Sequence, residues 1–359
     1  MWAYYDRTRA SLESTIEEQR IHARLYSSLG DQTAHQPKEV WMISCRSIGL
    51  LLALALAGCG RQGAEQATIT TDSSRLAVDG GEIWYRVVGT GSGTPVILLH
   101  GGPGYSSYYL KSLEALGDDR LVVRYDQLGS GKSDHINDTT KFTINHFVQD
   151  LDSLRRYLGF ERVDLYGHSW GTILAVEYYR AHPENVTALV LASAALDMPA
   201  WGKNARALLA TLPDSMQRAV RLRETEKNYE APDYQAALNE FYSRYLFLHP
   251  VEADLDSMIT TFNPDIYNYM QGPSEFTITG TLKNYDARSF LPQIQVPVLY
   301  TVGESDEANP DLVRQFAELT PDARVVVIPG AAHITSWDNP EANLQAVRDF
   351  LREVDERSP

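Results

Sequence analysis

The residues in this chain best placed to do chemistry carry oxygen and nitrogen, and one serine stands out by its setting. Ser169 lies in Gly167-His168-Ser169-Trp170-Gly171, a G-x-S-x-G arrangement preceded by the strand-like VDLY and followed by the helical TILAVEYY. That context predicts a tight strand-to-helix turn holding the serine up as a nucleophile; a chance glycine-rich turn would lack the flanking pattern. The helix start behind it places partial positive charge near developing negative charge. A serine alone is a weak nucleophile, so an orienting acid and then a base must follow it in the chain. Of the nine histidines, His22 and His35 lie far upstream, and His100, His135 and His146 precede the serine. His182 and His249 come before the late strand-like runs. Only His333 follows the last such run, in Gly330-Ala331-Ala332-His333, where small residues leave the imidazole free to reach Ser169. Asp306, in Gly303-Glu304-Ser305-Asp306 after VLYTV, is the expected acid, and Glu304 is its rival by the same positional logic.

His100-Gly101-Gly102-Pro103-Gly104 directly follows the apolar run PVILL. Glycines there let the backbone approach a substrate carbonyl, so the N–H of Gly102 is expected to pair with that of Trp170 as an oxyanion hole. His100 reads as a loop-orienting residue, and His168 is expected to point away from the nucleophile. Gly129-Ser130-Gly131-Lys132-Ser133 ends like a phosphate-binding loop, but Asp126 stands where that motif needs its first glycine. No His or carboxylate spacing suggests a metal site, and the expected chemistry needs no cofactor. The two cysteines are Cys45 and Cys59. Nothing beyond Cys59 can therefore form a disulfide, attack as a thiol or supply a thiolate ligand.

These groups need a scaffold, and the chain is long enough for one. Its 359 residues allow a large α/β domain with an insertion, or two ordinary domains. Apolar content of 43% and charged content of 22% suit a soluble globular protein, and a net charge of −15 argues against nucleic acid as a partner. From about residue 76, strand-like runs alternate with helical stretches, the α/β pattern. Residues 83–88 suggest an early edge strand. Runs at 95–99, 121–125, 163–166, 188–192, 298–302 and 324–328 are apolar on both faces, as in a parallel sheet covered by helices. Helical patterns fall at 145–158, 172–181, 312–319 and 340–351. Residues 198–290 break the rhythm: no buried-strand run occurs, and helical patterns such as 234–247 predict a cap over the site. The expectation is a mostly parallel central sheet flanked by helices, built from 76–197 and 291–359, with 198–290 as the inserted cap.

The N-terminal region reads as an address. Ile48 to Gly58 is an apolar run of signal-peptide length with Arg46 as a sparse positive flank, shorter than the roughly 20 residues of a membrane span. Leu56-Ala57-Gly58-Cys59 resembles the lipobox of bacterial lipoproteins, which implies lipidation of Cys59. The other reading, a buried core helix, finds no packing partner in Gly60-Arg61-Gln62-Gly63. Residues 1–58 are thus expected to combine an over-long start with a signal peptide from Met42, and 59–75 to form a lipid-anchored tether. The implied location is the bacterial cell envelope.

HGGPG, Asp126-Gln127-Leu128-Gly129-Ser130-Gly131-Lys132-Ser133, GHSWG and Gly303-Glu304-Ser305-Asp306-Glu307 occur in that order. Together with Gly272-Pro273-Ser274-Glu275-Phe276-Thr277-Ile278-Thr279-Gly280, they resemble the proline iminopeptidase family of serine aminopeptidases within the α/β-hydrolases. The resemblance covers about 81–351. It implies removal of an N-terminal residue, often proline, from short peptides or amino-acid amides, with Glu275 and Glu307 receiving the substrate's α-ammonium. Two desolvated carboxylates suit one buried cation. Leu128 stands where the family commonly has Arg, and Tyr285 where Trp is frequent, which predicts a pocket different in detail. The alternatives are an esterase, lactonase or amino-acid amidase on the same scaffold, or a lipid-anchored binding protein with a relic triad.

Overall fold

The computed structural model describes residues 73–357, apart from 250–256 and 259. The leader, Cys59 and the tether as far as residue 72 lie outside the described residues. Eight strands form one sheet: β1 (Ser73–Val78), β2 (Gly81–Val88), β3 (Gly93–Leu99), β4 (Arg120–Asp126), β5 (Val163–His168), β6 (Val186–Ala192), β7 (Val298–Gly303) and β8 (Ala323–Ile328). Their order across the sheet is β1-β2-β4-β3-β5-β6-β7-β8. The β1–β2 and β2–β4 pairs are antiparallel, and every pairing from β4 to β8 is parallel.

The composition of each strand matches its place. All residues of β5, β6 and β7 are buried, because central parallel strands have both faces covered. The two edges of the sheet differ from the sequence reading. The edge strand is β1, which begins at Ser73 within the expected tether, so the strand at 83–88 is not an edge but has a neighbour on each side. Most of SSRLAV is exposed, and an exposed edge strand carries no apolar run to reveal it. At the other edge, β8 is only partly buried despite three consecutive valines.

Helices α1 (Ile144–Tyr157) and α2 (Trp170–Ala181) flank the first half of the sheet, and α7 (Pro310–Leu319) and α8 (Pro340–Arg357) the second. The α2 helix is buried almost all round, which is why its sequence is apolar rather than amphipathic. Between β6 and β7 lie α3 (Met198–Leu209), α4 (Asp214–Glu226), α5 (Pro232–Tyr245) and α6 (Pro264–Met270). Asp197 caps α3 by accepting from Ala200 N–H, and Asn263 caps α6 by accepting from Asp265 N–H. These helices dock on the loops that follow the parallel strands. The Tyr245 carbonyl accepts from both Glu307 and His333 N–H, at 3.3 and 3.1 Å, and the Leu246 carbonyl accepts from Ile334 N–H. Asp338 accepts from Leu248 N–H with one oxygen and from Ala332 N–H with the other, both at 2.8 Å.

Candidate active site

The loops after β3, β5, β7 and β8 meet at the carboxyl end of the sheet, where open α/β sheets place their ligand sites. Ser169 sits between β5 and α2 at φ 55°, a strained conformation for a residue other than glycine. The turn is so close that a Cβ on Gly167 would lie 2.3 Å from the Gly171 carbonyl oxygen, and one on Gly171 2.2 Å from that of Leu99. Ser169 N–H donates to the Ala192 carbonyl at 2.9 Å, which ties the turn to β6.

Gly102, at φ 114°, lines one cleft with Ser169, His333, His168, Tyr105 and Glu275. Among the described residues, neither Gly102 N–H nor Trp170 N–H has a backbone acceptor. Trp170 is the first residue of α2, where such freedom is intrinsic to a helix start. The loop is braced from behind. Gln127 N–H donates to His100 Nε2 at 2.9 Å, and Gln127 Nε2 donates to the His100 carbonyl at 3.0 Å. Gln127 Oε1 in turn accepts from Trp170 Nε1 at 2.8 Å. One buried glutamine thus ties His100, at the start of the loop that carries Gly102, to the Trp170 side chain.

Asp306 and His333 meet with Nδ1 to Oδ1 at 2.8 Å. Asp306 Oδ2 accepts from Ser193 Oγ at 2.6 Å and Gly303 N–H at 3.2 Å, and Oδ1 accepts from Ala308 N–H at 2.8 Å. Burial pushes this carboxyl's pKa up, but His333 and these hydrogen bonds outweigh it and hold the pKa below the ordinary value. Glu304, the rival acid, is exposed and accepts instead from Gly330 N–H.

Glu307 is fully buried, and among the described residues neither carboxyl oxygen has a hydrogen-bond partner. Its Oε1 lies 4.0 Å from His333 Nε2. Burial, then the nearby Glu275 and Asp306, raise its pKa well above the usual carboxylate value. Glu275 is likewise raised by burial. It accepts from Tyr267 OH and, at 3.1 Å, from Gln271 Nε2. The structure therefore places Glu275 in the cleft with Ser169 and Glu307 against His333, the latter without a donor among the described residues.

Other residues differ from expectation. His168 does not point away: it lines the cleft and packs on His333, with ring centroids 4.7 Å apart. Its Nε2 lies 2.9 Å from the His333 carbonyl. Leu128 is buried against the β1–β2 turn beside Gly80 and Gly81, and Tyr285 donates to Glu177 on α2 at 2.8 Å. Neither lines the cleft, so the predicted change in the pocket does not arise at those positions. Trp201 of α3 was missed by the sequence reading. Its ring meets His333 edge-on at 5.5 Å, and its buried indole N–H helps lower the Glu275 pKa without forming a standard hydrogen bond. Ser193, Tyr109 and Trp201 carry no local motif; only the folded chain brings them to the site.

The model of the alpha/beta hydrolase fold family matches residues 94–340. A proline iminopeptidase of Heyndrickxia coagulans is 38% identical over 282 residues, covering 78% of this chain and 98% of that protein. One from Saccharolobus solfataricus is 31% identical over 295 residues, covering 80% and 94%. Among solved structures, the proline iminopeptidase of Mycobacterium smegmatis is 32% identical with a TM-score of 0.74, covering 80% of this chain and 100% of that one. Motif order, site geometry and relatives agree, and the chain belongs to the proline iminopeptidase family of α/β hydrolases.

Proposed function

We propose that this protein is a serine aminopeptidase that releases N-terminal residues, proline included, from short peptides through an acyl-enzyme. The observation that carries this reading is the Glu307 carboxylate, buried without a donor within 4.0 Å of His333 Nε2. A buried unpaired carboxylate is costly unless a ligand supplies the missing cation. A substrate α-ammonium held between Glu307 and Glu275 supplies it, and fixes the first peptide bond at the nucleophile.

Ser169 Oγ then attacks the carbonyl carbon while His333 Nε2 takes the hydroxyl proton, and Asp306 keeps the imidazole proton on Nδ1. The Gly102 and Trp170 N–H groups receive the oxyanion. Collapse breaks the C–N bond, and His333 returns its proton to the departing amine. Water, deprotonated by the same imidazole, cleaves the ester and restores Ser169.

The test compares proline, alanine and leucine naphthylamides with a neutral p-nitrophenyl ester, using Ser169→Ala as control. Amide turnover lost in the variant supports the aminopeptidase. Ester cleavage without amide cleavage keeps the nucleophile but replaces the assignment with an esterase or lactonase.

The lipid anchor belongs to the same proposal: Cys59 carries lipid and holds the enzyme at the bacterial cell envelope. Its support is the sequence Leu56-Ala57-Gly58-Cys59 after an apolar run. Among the described residues, no helix is long and apolar enough to cross a membrane. Incorporation of labelled palmitate that disappears in Cys59→Ser is the expected result, and a native protein without lipid overturns it.

A further inference from the structure

Behind the active-site histidine runs a chain of hydrogen bonds that the acyl-transfer steps do not themselves use. Gly101 N–H donates to Tyr109 Oη at 2.6 Å, which leaves the phenolic proton for His168 Nδ1 at 2.9 Å. With Nδ1 accepting, the imidazole proton sits on Nε2 and donates to the His333 carbonyl at 2.9 Å. The donor order thus fixes one neutral tautomer. Gly101 is seated closely on this chain: a Cβ built there would lie 3.1 Å from His168 Nδ1, Ser169 Cβ and Tyr109 Oη alike.

We propose that His168 is a positioning residue that, through Tyr109 and the His333 carbonyl, locks the oxyanion loop and the general base into one register. It acts through groups that touch the substrate and transfers no proton itself. Burial, then the adjoining His333, push its pKa down to about 3. A neutral ring is what the position requires, because His333 becomes a cation in the transition state and a second charge beside it would oppose that step. Ser193 Oγ also lies near the same carbonyl, at 2.9 Å, but is 2.6 Å from Asp306 Oδ2. Its single proton favours the charged acceptor. Thr335 N–H also donates to that carbonyl, at 3.1 Å, but it is part of the same loop, so His168 is the donor that ties the carbonyl to the Tyr109 side of the site.

The proposal rests on Ser169–His333 acyl transfer but not on a peptide substrate, so a neutral p-nitrophenyl ester reads it. The experiment measures kcat and KM of the full chain as wild type, H168L, H168Q, Y109F and the H168L/Y109F double variant. In H168L, kcat is expected to fall about 100-fold with KM within about threefold. In H168Q, a neutral amide that can both accept and donate is expected to restore kcat to within about threefold of wild type. Adding Y109F to H168L should cost less than Y109F costs alone, since the strut is already broken and only the Gly101 N–H acceptor remains to be lost. Unchanged kcat in H168L, equal damage in H168Q, or losses that multiply in the double variant would each overturn the proposal. Should H168L fail to fold, Y109F alone decides: a loss of about tenfold in kcat at constant KM supports the strut, and an unchanged kcat overturns it. Turnover surviving in Ser169→Ala would instead remove the acyl-transfer reading, and this inference with it.

Discussion

Asp306 and Glu307 are consecutive residues in one turn, and both are buried, yet the protein treats them oppositely. Asp306 receives the His333 imidazole, a serine hydroxyl and two backbone N–H groups. Glu307 receives none of these, and both its oxygens are left bare. The same division holds for the surroundings. Behind His333, Gln127, His100, Tyr109, His168 and Ser193 form a closed set of donors and acceptors. On its other side, Glu275 lines the cleft, and Glu307 and the Trp201 ring lie against His333, with both carboxyls raised in pKa. A fully satisfied polar network gives rigidity, whereas an unsatisfied one is a strain that a ligand relieves. The contrast separates machinery that must not move from a chamber that waits for a charge.

Breaking the satisfied side should damage every substrate. Asp306→Asn keeps the shape but removes charge and tautomer control, so kcat is expected to fall about 10⁴-fold for amide and ester alike. A loss confined to amides would dissolve the division. Breaking the unsatisfied side should be selective. Glu307→Gln is expected to lower kcat/KM for aminoacyl naphthylamides about 100-fold while changing the ester less than about threefold; equal losses would remove the ammonium role.

The raised carboxyls add two pH effects. The empty pair holds a proton to higher pH than ordinary carboxyls do, and an incoming ammonium must displace it. KM for cationic substrates should therefore fall, at most about tenfold per pH unit, as pH rises toward the α-amino pKa near 8, while the ester's KM stays flat. For stability, the folded-state pKa of Glu307 lies above its unfolded value, so the folded protein binds more protons between the two. Stability is then full below the unfolded pKa and lost as pH rises through the folded one. Replacing Glu307 with Gln should accordingly raise Tm by about 3 °C at pH 8 and leave it unchanged at pH 4, as read by thermal melts. The smallest effect is expected outside both regions. Tyr285→Phe gives up the bond to Glu177, should cost about 1 kcal/mol in denaturant titrations, and should leave kcat and KM within about twofold.

What was legible in the sequence follows the same physics. VDLY, ALVLA and VLYTV announced buried parallel strands because both their faces must be apolar. Ser169, Asp306 and His333 could be picked out because each follows a strand in a fixed order. SSRLAV hid because an exposed antiparallel edge needs no apolar run. His168 was misjudged and Ser193, Tyr109 and Trp201 were missed because their meaning lies in partners far away in the chain. His168 reaches across 165 positions to the His333 carbonyl, and Ser193 across 113 to Asp306. No local spacing encodes such pairs. Glu275 and Glu307 entered only through likeness to a family, since a carboxylate's lack of partners is visible only after folding.

The acyl-enzyme sets the order in which products leave, and the bare oxygens of Glu307 bear on which product lingers. On the proposed role, the shortened peptide departs as an amine once the acyl-enzyme forms, and its new amino group was not the one held by the carboxyl pair. The released amino acid keeps the α-ammonium by which the substrate was held, so it goes last and competes with the next substrate. A chamber that recognises its substrate by what the reaction leaves untouched is slowed by its own product, and free amino acid becomes the natural brake on trimming.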